Sequence, residues 1–191
     1  MNFLLRLFLL CTSTLPGVAA AMPYTEVALP DSTLTFSYRQ MGVPMEGRFR
    51  QFTAHVAFDP ARPEAAHISL EIPLAGIDTG VAEADSEVQG KLWFDARTFP
   101  VARFVASEVR ALGGNRYEMR GRLTLKGKTQ DIIVPFNLQA EEARAIATGA
   151  LILKRLDYGI GDGIWRDVSA VADEVQIHFR FVVRATPRTH P

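Results

Sequence analysis

The sequence predicts an all-β domain: an eight-stranded antiparallel, up-and-down barrel with one short helix. Two observations carry that reading. Apolar side chains recur at every second position through most of the chain, the period of a strand with one buried face. Clusters of Gly, Pro and Asn then cut this alternation into short runs of even spacing, which suits a meander closed on itself better than alternating strands and helices.

The elements follow in order. Leu34, Phe36 and Tyr38 alternate with Thr33, Thr35 and Ser37, and Gly42 and Pro44 turn the chain. Phe52, Ala54, Val56 and Phe58 face away from Thr53, His55 and Asp59 until Pro60 and Pro63 end the run. Ile68, Leu70, Ile72 and Leu74 alternate with His67, Ser69, Glu71 and Pro73. The one helix fits between Ala82 and Lys91, with Thr79 or Asp85 as its cap and Gly90 as its end. A strand from Phe104 to Leu112 meets a tight hairpin at Gly113-Gly114-Asn115. Its return places Tyr117, Met119, Gly121, Leu123 and Leu125 opposite Glu118, Arg120, Arg122 and Thr124. Lys126-Gly127-Lys128 turns into Ile132, Val134, Phe136 and Leu138. Ala145 to Leu153 is apolar on both faces, and the last strand sets Val175, Ile177, Phe179, Phe181 and Val183 against Glu174, Gln176, His178 and Arg180. At ~3.3 Å per residue, strands of about eight residues give a barrel roughly 26 Å long. Eight strands enclose a space that side chains fill, or that holds one slender ligand.

A chain of 191 residues supports one domain with a sizeable core. Lys+Arg and Asp+Glu both total 21, so there is no electrostatic footprint for nucleic acid and no basic cluster to hold anionic lipid. Residues 1–21 read as a cleaved secretory signal: Arg6, then the apolar Leu7 to Leu10, then Pro16 and Gly17, then the small-residue exit Ala19-Ala20-Ala21. The stretch is too short and too interrupted to span a bilayer. The expected organisation is a signal over 1–21, one domain over 22–184 and a disordered tail over 185–191. Cys11, the only cysteine, lies in that signal, so the mature chain has no disulfide, thiol nucleophile or cysteine-bound metal.

The sequence carries no catalytic constellation. No G-x-S-x-G elbow surrounds a serine. His55, His67, His178 and His190 are scattered; the first three fall on polar strand faces and read as exposed strand residues, with a two-histidine metal site across neighbouring strands as the alternative. Asp157, Asp162, Asp167 and Asp173 surround Gly159, Gly161 and Gly163 without the dense oxygen pattern of a calcium loop. They read as turn aspartates bonding local backbone. What remains is the aromatic interior of Phe36, Phe52, Phe58, Phe104, Phe136, Phe179 and Phe181. It is either a packed core or the wall of a ligand cavity. Burial stabilises both by about 25 cal/mol per Å², so periodicity does not separate them.

Six stretches, in this order, carry a resemblance. They are Ser32-x-Leu34-x-Phe36 with Met41-Gly42-Val43 and Gly47-x-Phe49; Ile77-Asp78-Thr79-Gly80; Leu92-Trp93-Phe94-Asp95 through Phe99-Pro100-x-Ala102-x-Phe104; Gly121-x-Leu123-Thr124-Leu125-Lys126-Gly127; Arg155-x-Asp157-Tyr158-Gly159-Ile160-Gly161; and Val171-x-Asp173-Glu174-Val175. Together they resemble the YceI-like family of exported, lipocalin-like barrels. The chain departs from that pattern at Gln40, where a histidine is common, at Trp93 in place of Phe, and at Leu156 in place of a small polar residue.

The resemblance implies a periplasmic, non-enzymatic protein that binds, and transports or stores, a long isoprenoid lipid such as an isoprenoid quinone, with no metal and no other cofactor. Strand parity assigns Phe36, Tyr38, Phe52, Val56, Ile72, Phe104, Met119, Leu123, Phe136, Ile152 and Phe179 to the lipid-binding wall. The helix and the Trp93-Phe94 segment are expected to cover one mouth. Transient contact with a membrane and a homodimer are compatible partners. A ligand-free barrel acting as a partner-binding or stress-response protein, and a metal-dependent enzyme built on the mouth, are the competing readings.

Overall fold

The computed structural model describes residues 23–142 and 144–185. The proposed signal over 1–21 and residues 186–191 of the proposed tail lie outside them. The strands are β1 (Tyr24–Val27), β2 (Thr33–Gln40), β3 (Val43–Phe49), β4 (Thr53–Ala57), β5 (His67–Pro73), β6 (Ile77–Asp78), β7 (Val101–Gly113), β8 (Arg116–Leu125), β9 (Lys128–Glu141), β10 (Arg144–Lys154) and β11 (Glu174–Ala185). The helix α1 spans Ala82–Gln89. All strand pairings are antiparallel.

Among the described residues eleven strands make an eight-membered ring because three members are bent. β11 pairs with β1 at one end and with β2 at the other; a turn at Leu29–Asp31, carrying Pro30, separates the two halves. β5 and β6 are likewise one bent member, broken after Pro73 by the turn Leu74–Gly76. β3 pairs with β2 and β6, whereas its continuation β4 pairs with β5 and meets β1. There the backbones of Tyr24 and Phe58 exchange both hydrogen bonds, at 2.8 and 2.9 Å. Proline removes a ladder donor and fixes φ, so Pro30 and Pro73 sit where pairing changes hands. With β7 to β11 these members close the expected barrel.

Three expectations are corrected in detail. Pro44, read as a turn residue, lies in strand β3 (Val43–Phe49), which the alternation left unassigned; it is tolerated opposite Arg39 near the strand's start. Neither Thr79 nor Asp85 caps α1, whose N-cap is Val81. Asp85 instead accepts hydrogen bonds from the Thr79 backbone N–H (2.6 Å) and hydroxyl (2.7 Å), tying the first turn back to the end of β6. Ala185, placed in the tail, is the last residue of β11 and pairs with Tyr24.

One end of the barrel is packed solid. Phe58 meets Tyr117 and Phe136 edge-on, at 5.3 and 6.0 Å between ring centroids, and Tyr117 stacks on Phe136 at 5.2 Å. Such pairs add about 0.5–1.5 kcal/mol each beyond area burial. The opposite end carries α1, the β2–β3 and β8–β9 hairpins and the long β10–β11 loop.

Candidate functional site

Above the aromatic plug the barrel is hollow. A cavity of about 300 Å³ runs along its interior, walled almost wholly by apolar side chains from every member of the ring. Small-molecule sites span about 300–1,000 Å³ and are lined mainly by apolar groups with a few polar ones.

The cause of the void lies in three inward-facing glycines. Gly47 is paired with Phe36, and that ring occupies the space a side chain at 47 would take. Gly149, paired with Phe179, does the same for the Phe179 ring. A Cβ at Gly121 would stand 2.6 Å from the Phe104 ring. Three large aromatics therefore lie back against bare backbone instead of filling the axis. The consequence is visible along the strands. Leu70, Leu151, Leu153, Ile177 and Phe179 point inward, line the cavity and pack against the core, yet remain only half-buried.

Of the residues assigned by parity, Phe36, Tyr38, Val56, Ile72, Phe104, Met119, Leu123, Phe136 and Phe179 line this cavity. Two do not. Ile152 faces solvent at 60% exposure. It pairs with the outward Gln176, while Leu151 and Leu153 pair with Ile177 and Val175 on the cavity face. Phe52 lies in the bend between β3 and β4, where parity is interrupted. It packs on Phe181 (5.2 Å between centroids), which itself lines the cavity, and so stands one layer back. The outward side of β10 carries Ile146, Ala150 and Ile152 between Arg144 and Lys154, so its apolar middle blurs the alternation; the pairing with β11, whose faces differ sharply, fixes it.

The open end was the least legible part of the site. Ala84, Glu87 and Val88 of α1 join Trp93, Phe94 and Trp165 in the cavity wall there. The Trp93 and Trp165 rings meet at 5.3 Å, and Trp165 Nε1 donates to Glu87 Oε1 at 3.1 Å. Arg155 organises the loop behind them. Its side chain is buried, at 3% exposure, and no ion pair reaches it among the described residues. Each of its five N–H groups donates to a backbone carbonyl: Nε to Ala172 (3.0 Å), one terminal nitrogen to Ile160 and Gly161 (2.9 and 3.1 Å), the other to Trp165 and Val171 (2.6 and 2.7 Å). The guanidinium carbon lies 5.5 Å from the Trp93 ring centroid, a cation–π distance. Burial lowers the Arg155 pKa, and Asp173 opposes that shift. Burial likewise pushes Tyr158 up to about 12, with Asp157 adding to it, and raises Tyr38, so both hydroxyls stay protonated.

A second polar group pins the helix. Asp78 Oδ2 accepts from Arg48 Nε (2.8 Å) and Arg50 Nε (3.1 Å), and Oδ1 from the Gly80 N–H (3.1 Å). Bonding to Arg50, then Arg48, then Gly80 holds this carboxyl well below the ordinary range. Arg50, just after β3, also reaches Asp85 at 3.5 Å, linking the end of that strand to α1.

Of the loop aspartates, Asp162 and Asp167 bond within their own turns, whereas Asp173 reaches back across the loop. Asp167 takes the Ser169 backbone N–H and hydroxyl, Asp173 the Leu156 N–H, and Asp162 the Arg166 side chain. His55 and His67 are exposed and His178 half-buried; His190 lies outside the described residues. No three His, Cys, Asp or Glu side chains converge as a metal site among the described residues.

The YceI-like domain model matches residues 26–183. The chain belongs to the YceI-like family. Among curated relatives, a UPF0312 protein of Pseudomonas savastanoi pv. phaseolicola is 32% identical over 122 residues, covering 61% of this chain and 64% of that one. A UPF0312 protein of Azotobacter vinelandii is 27% identical over 137 residues, covering 69% of each. Among solved structures, Burkholderia cenocepacia BcnA is similar at 41% identity and a TM-score of 0.80, covering 82% of this chain and 99% of that one. A polyisoprenoid binding domain from Saccharophagus degradans, implicated in plant cell wall breakdown, shares the fold at 18% identity and a TM-score of 0.65, covering 87% and 99%.

Proposed function

We propose that this YceI-like protein is a non-enzymatic carrier that holds a long isoprenoid lipid, such as an isoprenoid quinone, inside its barrel after export to the periplasm. The apolar cavity kept open by inward glycines is the observation that carries this reading. Apolar voids cost stability because their lining forfeits contacts, and a threaded chain restores them. The polyisoprenoid-binding neighbour supports the same ligand class. The lipid tail lies toward the Phe58–Tyr117–Phe136 plug and its polar end at the mouth. Transport or storage is the role that fits a wall without catalytic groups.

The mouth favours transient contact with a membrane. Met41 and Ile164, at 75% and 78%, are the most exposed large apolar side chains among the described residues. Met41 tips the β2–β3 hairpin, and its N–H bonds to Ala170 O (2.9 Å) in the loop that carries Ile164.

The test is mass spectrometry of organic extracts from protein expressed with its own signal, together with titration of the delipidated protein. Both tryptophans, Trp93 and Trp165, stand at the mouth, so a bound quinone quenches their emission. A stoichiometric isoprenoid and saturable quenching support the carrier. An empty extract and no quenching after incubation with membrane lipids refute it and favour a ligand-free, partner-binding barrel. Paired Met41→Asp and Ile164→Asp substitutions are expected to slow lipid uptake from vesicles several-fold without changing affinity for dispersed lipid; unchanged uptake refutes the docking step.

A further inference from the structure

β9 and β10 are long neighbours that share a short ladder. It runs from Arg144↔Glu141 to Gly149↔Phe136 and stops there. Both strands continue on their far sides: β9 stays paired with β8 as far as Lys128, and β10 with β11 as far as Lys154. Residues 131–135 of β9 and 150–154 of β10 therefore carry no ladder between them. At ~3.3 Å per residue the unladdered seam is roughly 17 Å long. It starts at Phe136, in the plug, and ends at the β8–β9 hairpin and the β10–β11 loop, so it follows the cavity to its mouth. β7 also runs past its partner β5, but that overhang leads to Tyr117 in the plug.

The side chains along the seam belong to the cavity wall. Ile132 and Val134 line the cavity on one side, Leu151 and Leu153 on the other. Ile132, Leu151 and Leu153 are only half-buried. Outside them, Ile133 and Ile152 are 49% and 60% exposed. At the mouth end the seam is bridged by side chains: Lys126 Nζ donates to Gly159 O (2.8 Å) and Lys128 Nζ to Asp157 O (3.3 Å).

Pro135 accounts for where the ladder stops. Along a paired strand, alternate residues turn their backbone groups to the same neighbour. The Leu138 N–H donates to the carbonyl of Asn115, the residue before β8, so residues 137, 135, 133 and 131 turn theirs to β10. The rung after Gly149↔Phe136 needs a donor at Pro135, which has none. Proline explains that rung alone, and the ladder does not resume at Ile133. Yet the two strands match in a closed register. Continued residue by residue, the pairing sets Val134 against Leu151 and Ile132 against Leu153 inside. Outside, it sets Ile133 against Ile152 and Asp131 against Lys154. Apolar pairs and opposite charges are the cross-strand pairs that stabilise a sheet. Asp131 and Lys154 make no ion pair among the described residues, so the closed form gains one.

We propose that the β9–β10 seam is a lateral gate, which parts to let the lipid chain pass sideways into the cavity and closes by extending the ladder toward the mouth. This rests on the lipid-carrier reading and adds the route that the chain takes. A slit that reaches from mouth to plug admits a long apolar chain along its length. Less of the chain then stands in water at once than during end-on threading.

The experiment uses the full-length chain carrying Cys11→Ser, Ile133→Cys and Ile152→Cys, delipidated. Neither seam position lines the cavity. Opposed residues in a closed ladder have Cα atoms ~5.5 Å apart, within reach of a disulfide. The probe is a long-chain prenyl quinone in phosphatidylcholine vesicles, and tryptophan quenching reads its uptake and release. After oxidation both rates are expected to fall about tenfold or more at unchanged equilibrium affinity, and dithiothreitol to restore them. Asn137→Cys with Thr148→Cys joins the same strands across a rung that they already share, and is expected to leave the rates unchanged. Native rates with the seam joined overturn the proposal. Equal slowing by the control pair also overturns it, because general stiffening then suffices. Seam cysteines that never join overturn it too, since the strands then do not reach the closed register. Hydrogen exchange tests the seam in the native protein without cysteines. The amides of Asp131, Ile133, Ile152 and Lys154 are expected to exchange far faster than those of Asn137 and Thr148, and equal protection overturns the gate. Quinone binding with rates indifferent to the joined seam sinks only the gate, whereas no binding by the reduced protein sinks the carrier as well.

Discussion

Arg155→Met removes a buried cation that no ion pair reaches among the described residues, and the sign of its effect is decided by counting. Five charge-assisted hydrogen bonds are lost. At about 1.5 kcal/mol each, the low end for bonds to charged groups, they amount to about 7.5 kcal/mol. Leaving a guanidinium out of the interior recovers several kcal/mol of desolvation. The net is a destabilisation of about 3 kcal/mol, because the freed carbonyls belong to a loop that rehydrates only in part. For a domain of this size that is a fall in Tm of roughly 6–12 °C. Urea and thermal unfolding measure it. The loop also places Trp165 against Trp93, so emission from the mouth is expected to shift to the red before global unfolding. Arg155→Lys keeps the charge but supplies at most three N–H groups in a different geometry, and is expected to recover less than half of the loss. A Met variant within about 0.5 kcal/mol of the native protein would refute the reasoning, since surface-like substitutions have effects of that size. A Lys variant of native stability would show that charge, not the planar fork, holds the loop.

The other predictions concern the cavity and the helix anchor. Gly149→Val drives a side chain into the Phe179 ring and the Pro135 carbonyl; overpacking of this kind costs about 1–3 kcal/mol, read as a fall in Tm, and lipid capacity should fall with it as the ring is pushed inward. Leu151→Trp fills void and is expected to lower lipid binding at least tenfold while Tm holds or rises, whereas Ile152→Trp, on the solvent face, should leave binding intact; the reverse result would place β10 in the other register. Asp78 has a folded-state pKa held below its ordinary value of 3.8, so its contribution is complete above that value and is lost as pH falls further toward the folded-state pKa. Asp78→Asn should therefore flatten the acid limb of a stability-versus-pH curve below about pH 4, and an unchanged limb would mean that other carboxylates set it.

How much of this was legible in the sequence depends on the link concerned. The barrel was readable because Ile68-Leu70-Ile72 and Val175-Ile177-Phe179 alternate with polar residues, and a one-residue slip would bury Glu71 or Gln176. β3 was hidden because its inward row is Met45, Gly47 and Phe49, and a glycine contributes nothing to an apolar period. Ile152 was misplaced because Ile146, Ala150 and Ile152 make the middle of the outward row apolar, although Arg144, Thr148 and Lys154 share its parity, as the pairing with β11 shows. Phe52 was misplaced because a bend does not announce itself in a pattern of period two. The Trp93-Phe94 segment is legible as a cover for one mouth, but the role of Arg155 is not, because a five-carbonyl cage does not follow from spacing along the chain.

The same glycines settle why an aromatic-rich interior does not become a core. An eight-stranded barrel has just enough room to be filled by its own side chains. Here Phe36, Phe104 and Phe179 would fill it if they projected toward the axis. Gly47, Gly121 and Gly149 instead offer each ring a flat bed of backbone, and the ring takes it. The bed works only because each glycine lies on the neighbouring strand, at or next to the aromatic's level, which the registers of β2 with β3, β7 with β8 and β10 with β11 provide. The hollow is therefore encoded in pairs of positions far apart in sequence. Replacing either member lowers stability but acts on the cavity in opposite ways: a side chain at the glycine crowds the wall, whereas Phe179→Ala or Phe36→Ala enlarges the void and costs about 3–5 kcal/mol. If the Ala variants lost stability and still bound lipid, while the glycine variants lost lipid with the milder loss of stability, the pairing would be shown to maintain space rather than to fill it.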